Sequence, residues 1–230
     1  MEIQTRISTK SVNLYNAKGK NPGRILALTA LLVMAGLVAG CSSTKPMALK
    51  NYKAGKASAN PIGIFSLRME NVYKPSFQPK VKTVELMPAG QKKAKVFKVD
   101  DAYREGEKQF FEYLVSVELP PGEYTLGPVF GGRGNMLVSG WFKFPVDARF
   151  TLPANGVNYL GHVKMVNRER KEGEKRSGGV TPLIDQSVTG FSGGTFDITV
   201  EDRSAEDIPA FKQTYPAING EEIQKVIMQR

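Results

Sequence analysis

The sequence predicts a mainly β protein, a single antiparallel β-sandwich with a short helical C-terminal tail. Three observations carry that expectation. Beyond Pro61, apolar and polar residues alternate over a series of short runs. Turn-forming clusters separate the runs, among them Pro120-Pro121-Gly122, Gly131–Asn135 and Pro153-Ala154-Asn155-Gly156. After Asp202 the period changes: Ser204-Ala205-Glu206-Asp207 has the outline of a capping box that opens a helix.

Composition sets outer bounds. The chain has 230 residues, 41% hydrophobic and 23% charged, which fits a globular protein and not a disordered or fibrous one. Its 32 Lys and Arg outnumber 22 Asp and Glu, giving a formal charge of +10. The single Cys excludes an intramolecular disulfide and a Cys-based zinc site, and the single His excludes a multi-His metal centre. No metal and no cofactor is expected.

Taken in order, the first element is a leader. Arg6, Lys10, Lys18, Lys20 and Arg24 face one acid, Glu2. Ile25 to Gly40, ILALTALLVMAGLVAG, is an uncharged run of 16 residues. That is short of the roughly 20 needed to span a bilayer as a helix. A basic segment, a short apolar segment and a small-residue end make a secretory signal. Val38-Ala39-Gly40-Cys41 then resembles the lipobox of bacterial lipoproteins, an aliphatic residue and two small ones before a Cys. The basic segment is longer than that family usually shows. The resemblance implies a diacylglyceryl group on the Cys41 thiol, cleavage by signal peptidase II between Gly40 and Cys41, and acylation of the new amino group. Two or three acyl chains would make attachment effectively permanent, since one chain anchors only marginally. Ser42 in place of Asp implies the outer membrane, with the inner membrane and cell surface left open. Five of the bases and one of the acids precede Cys41, so the remainder carries +6.

The expected organisation is a signal peptide at 1–40, lipidated Cys41 and a flexible tether at 41–60, the sandwich at 61–202 and a helical tail at 203–230. Residues 42–60 are small and polar and read as a linker. An alternative is that their lysines lie on anionic headgroups. Ile62, Ile64 and Ser66 alternate with Gly63, Phe65 and Leu67 as a strand apolar on both sides. Strands are also expected at Val81–Leu86 and Val96–Val99. In FFEYLVSVEL, Phe111, Tyr113, Val115, Val117 and Leu119 share one face, and Glu112, Ser116 and Glu118 the other, as in a half-buried strand. Leu119 to Leu126 reads as a hairpin. Strands resume at Met136–Val138, Trp141–Phe144 and Phe150–Leu152, with Pro145 at an edge or bulge. Val157, Tyr159, Gly161, Val163 and Met165 fall on one face of the next strand, and Phe196, Ile198 and Val200 mark the last. Arg168–Gly179, with its mixed charges, reads as a solvated loop. One helix is expected from Ser204 to about Thr214 and a second from Gly220 to Met228.

LPPGEYTL followed by FKFPVDARFTLPANGVNYLGHV resembles small lipoproteins with a transthyretin-like or carboxypeptidase-regulatory-like sandwich. The likeness covers roughly Phe110 to Val166. That group brings no shared catalytic residues.

Little in the chain announces chemistry. His162, the one general base near neutrality, is expected opposite Tyr159 as a structural or surface residue. There is no Gly-x-Ser-x-Gly elbow. The pairs Asp100-Asp101, Glu201-Asp202 and Glu206-Asp207 are adjacent in sequence, and neighbours on a strand point to opposite faces. None has calcium-loop spacing. Gly131–Asn135 lacks the Gly-Lys-Ser/Thr ending of a phosphate loop and reads as a hairpin turn; Gly193-Gly194 marks a bulge or close backbone approach. Lys80, Lys82, Lys92, Lys93, Lys95 and Lys98 cluster without the aromatic motif of an RNA binder. The expected function is a non-enzymatic binding or scaffolding module of the bacterial envelope, anchored to the membrane by lipid. Its expected partners are envelope proteins or anionic envelope polymers, and not nucleic acid. The alternatives are a carboxylate-dependent enzyme acting on glycan or lipid, and an accessory lipoprotein of a secretion or pilus assembly.

Overall fold

Two sheets stack over the alternating apolar residues. The computed structural model describes residues 44–55, 58–106, 110–134, 138–180 and 187–230. The expected leader, Cys41 and the expected cleavage motif Val38, Ala39 and Gly40 lie outside these residues. The strands are β1 (Ile62–Asn71), β2 (Lys80–Pro88), β3 (Lys95–Lys98), β4 (Arg104–Gly106), β5 (Phe110–Glu118), β6 (Gly122–Gly134), β7 (Ser139–Leu152), β8 (Val157–Glu169), β9 (Gly194–Glu201) and β10 (Ile223–Lys225). The larger sheet runs β10-β8-β1-β5-β4, with β9 also on β8; the smaller runs β3-β2-β6-β7. The fold is mainly β, as the alternation predicts. Helix α1 (Ser204–Thr214) ends where expected.

The core lies between the sheets. Phe65, Leu67 and Met69 of β1, Val115 and Val117 of β5 and Val163 and Met165 of β8 meet Val84, Leu86, Val129, Phe142 and Phe144 of the smaller sheet. The outer face of the larger sheet has a second cluster: Ile62, Ile64, Leu114 and Tyr159 are covered by Leu49, Phe211 and Ile218. β1 is therefore buried on both faces. So is β5, whose Glu112 and Ser116 are covered and not half-solvated. Residues Ser43–Arg230 form one compact unit that holds both clusters.

Several expectations are corrected. The sheets are not wholly antiparallel: β1 pairs β8 in parallel, Ile62 opposite Val157, and β10 pairs β8 in parallel. Parallel neighbours need a long crossover, and here the chain between β1 and β8 supplies it while building the smaller sheet. Leu119–Leu126 is no hairpin, because β5 belongs to the larger sheet and β6 to the smaller. Pro120-Pro121 carries the chain across, and the Tyr124 hydroxyl donates to the Pro120 carbonyl at 2.8 Å. Gly131–Gly134 belongs to β6, not to a turn. A Cβ on Gly131 would collide with the Lys80 carbonyl and lie 2.7 Å from the Phe142 ring. Of the strand expected at Met136–Val138, the first two residues lie outside the described residues, and Val138 precedes β7 without joining it. Pro145 sits within β7, an edge strand, opposite Pro128 at a register shift.

Part of the supposed tether, Lys45 to Tyr52, packs on the sandwich, while residues 53–55 are exposed. Lys45 N–H donates to Val96 O, and Lys98 N–H to Lys45 O, each at 2.8 Å. Met47 and Leu49 are buried, and Leu49 N–H donates to Ser116 Oγ at 3.0 Å. The second helix is absent: a 3-10 turn (Pro216–Ile218) precedes β10. The open edge of β8 decides this, since Val226 N–H and Met228 N–H satisfy the carbonyls of Tyr159 and Leu160. The Arg168–Gly179 loop is only partly solvated. Arg168 grips Glu174 and Asp197, while Ser177 is buried and donates to Asn167. Gly194 does mark a close approach, 2.5 Å from Asn167 Oδ1 to a notional Cβ.

If residues 45–52 are structural, Leu49→Ala lowers stability by about 2–5 kcal/mol, as other buried leucines do. Urea unfolding checks this; a loose tether would give no change.

Candidate functional site

A buried polar cluster lies where α1 crosses β8. Its origin is Gly161, whose φ of +115° suits glycine. Around it Ile64 pairs with Tyr159 but Ser66 with His162, so β8 spends one extra residue. The bulge breaks the alternation. Tyr159 and His162 consequently share the outer face, against the expectation that they oppose each other, while Leu160 and Val163 both enter the inter-sheet core.

Ser66, His162 and Asp207 are each 1% exposed. Ser66 Oγ donates to Asp207 Oδ2 and lies 2.6 Å from His162 Nδ1. Tyr159 also donates to Asp207 Oδ2, at 2.7 Å. Because the one hydroxyl hydrogen of Ser66 goes to Asp207, the Ser66–His162 bond assigns its proton to Nδ1. Arg203 Nη1 approaches Nε2 at 3.0 Å and Glu112 Oε1 at 3.2 Å, and Arg104 holds Glu112 Oε2 at 2.5 Å. The helix entrance differs from a capping box. Asp202 accepts the Ser204 N–H at 2.9 Å, while Asp207 turns inward.

Burial, and then the Arg203 charge, push the His162 imidazole below its ordinary value of 6.5. Burial works against ionisation of Glu112, yet Arg203 and Arg104 hold its carboxyl below the usual range. Burial and the Glu112 charge push the Tyr103 hydroxyl up to about 12. The order of hydrogen bonds runs His162 to Ser66 to Asp207, so Ser66 is not poised to give its proton to the imidazole. As built, the cluster ties α1 to β1 and β8.

The lysine group converges elsewhere. Lys80, Lys82 and Lys98 line a 670 Å³ cleft at the mouth of the sandwich, with Asp100, Asp101 and Glu105 also on its walls. Lys50 Nζ lies 3.3 Å from Asp100 Oδ1. Among the described residues the acids do not converge into a metal-holding group. Asp202, Glu206 and Asp207 gather at the helix entrance instead, while Glu201 ends β9. Sequence reasoning missed Ser66, Asp207 and Arg203 as one group; the only signal was Gly161 within an apolar run. Compared with family models, curated proteins and solved structures, the chain finds no match.

His162 binds fewer protons folded than unfolded, so its contribution to stability is present above 6.5 and lost as pH falls towards its depressed folded value. Urea midpoints should therefore drop on acidification below 6.5, and His162→Gln should flatten that part of the profile. A profile unchanged by the substitution would contradict the assignment.

Proposed function

We propose that the protein is a lipid-anchored binding or scaffolding module of the bacterial cell envelope, held at the outer membrane and facing the periplasm. One observation carries the reading: Val38-Ala39-Gly40-Cys41 ends an uncharged run behind a basic segment, and the folded body begins almost at once, at Lys45. Cys41 is then the attachment point and not a catalytic thiol. No helix among the described residues is long and apolar enough to cross a membrane. The buried cluster supports a non-enzymatic body, since its hydroxyl is shielded and its hydrogen is directed at a carboxylate. Cys41→Ala should abolish both the mass added by the acyl chains and the trimming of the precursor, and should shift the protein out of the membrane fraction. Unchanged partitioning and trimming would end this proposal.

A second reading, a carboxylate-dependent envelope enzyme, is favoured by the acids in the lysine-rimmed cleft. It expects Asp101→Asn or Glu105→Gln to lower turnover of an envelope glycan or phospholipid by at least about a hundredfold with the fold intact. Equal turnover in the variants and the parent would remove it.

A further inference from the structure

The two faces of the sandwich are treated differently. α1 and the segment around Leu49 pack on the larger sheet. The outer face of the smaller sheet has a pattern of its own, set by register. One outward row reads Lys98, Thr83, Phe130, Lys143. The next reads Lys80, Gly132, Trp141. Between them the register shift at Val81/Thr83 leaves Lys82 as an extra, exposed residue. Phe130 is 37% and Trp141 39% exposed, large values for such rings in strand interiors.

Charge on the β2–β3 part of this face is mainly positive. The β2–β3 hairpin, Lys80 to Lys98, holds six lysines and one acid, Glu85. Glu85 is already held by Lys143 at 2.6 Å. Lys45 adds a further base where it pairs along β3, the edge of the same sheet. Asp147 and Glu123 stand further along the outward side of β7 and β6. Asp100, Asp101 and Glu105 share a cleft with Lys80, Lys82 and Lys98; Asp100 is bound by Lys50, and Lys80 Nζ lies 5.1 Å from the Phe111 ring.

The chain also enters the fold here. Lys45 is the first residue hydrogen-bonded to a strand among the described residues, and Cys41 stands four residues before it. Four residues reach at most about 14 Å. An anchor at Cys41 would hold the β3 edge within little more than one screening length of the headgroups.

We propose that this face, with Phe130 and Trp141 exposed on β6 and β7 and Lys80, Lys82 and Lys98 beside them on β2 and β3, lies against the anionic phospholipid headgroups of the membrane that holds the anchor. The proposal rests on the anchored reading for its geometry. Its chemistry is that of interfacial proteins: aromatic rings settle at headgroup level and lysines close to the surface are attracted to anionic lipid. Lipid attachment supplies permanence, and the face supplies orientation. The body would lie on the bilayer by its smaller sheet, turning α1 and the larger sheet towards the aqueous space.

Trp141 is the only Trp in the chain and reports directly. The Ser43–Arg230 unit, which holds both hydrophobic clusters and lacks Cys41, is mixed with vesicles of phosphatidylcholine alone or of equal parts phosphatidylcholine and phosphatidylglycerol. The expected result is co-sedimentation with the anionic vesicles only, a blue shift of Trp141 emission, and reversal of both by salt. The triple variant K80E/K82E/K98E should reduce partitioning by about a hundredfold or more while keeping the parent's thermal midpoint. If that variant does not fold, quenching of Trp141 by bilayer-borne quenchers in the parent protein serves instead. No binding to anionic vesicles at low salt overturns the proposal. So does binding without any change at Trp141, or sedimentation with insoluble peptidoglycan but not with vesicles. Since Cys41 is absent from this experiment, a lipid-free Cys41 with intact vesicle binding would sink the anchor alone. A lipidated Cys41 with no vesicle binding would sink the face alone.

Discussion

One backbone position, Gly161, governs how the larger sheet is assembled. With φ at +115° it lets β8 change partners along its length. Before it, Val157–Tyr159 pair with β10; after it, His162–Glu169 pair with β9. Any side chain there would be strained by the backbone and would also press on the Glu201 carbonyl, 3.2 Å from a notional Cβ. The same bulge rotates His162 onto the side of Tyr159, which is why a polar cluster forms under α1 at all. The helix is amphipathic only weakly, with Phe211 as its main apolar contact. Much of its attachment is therefore polar, through Asp207 and Arg203.

Such a cluster is costly to bury unless every member is satisfied. Asp207 Oδ2 takes two hydroxyl hydrogens, and its Oδ1 has only Arg203 at 3.7 Å. Glu112 is shared by two arginines and the Tyr103 hydroxyl. The charges are thus placed in pairs across elements distant in sequence: β4, β5, β8 and the helix entrance. That arrangement specifies where α1 sits more sharply than its few apolar contacts could.

What the sequence made legible follows from local physics. Alternation located β1, β2, β3, β5, β8 and β9, and Ser204–Thr214 stood out by its change of period. What was not legible depends on partners far away in the chain. Pro120-Pro121-Gly122 looks the same whether it closes a hairpin or carries the chain between sheets. Gly220–Met228 has a helical spacing of apolar residues, yet β8 had carbonyls that needed donors, and a strand answers that need. Met47 and Leu49 sat in a polar stretch too short for periodicity to register. The buried cluster was the least legible, since its members span Ser66 to Asp207 and the bulge that joins them inverts the apparent face of His162.

The parallel pairing of β1 with β8 has a bearing on timing. Ile62 must wait for Val157, and the far edge of β8 is not covered until Thr195–Glu201 and Ile223–Lys225 have been made. Arg230 then spans both sheets, its guanidinium donating to Val146 O and Ile198 O. Contacts of such sequence separation form slowly. β5 can pair with β1 earlier, Ile62 opposite Glu118, but the other edge of β1 stays open until β8 has been made. Closure of the larger sheet thus waits on residues from the far end of the chain.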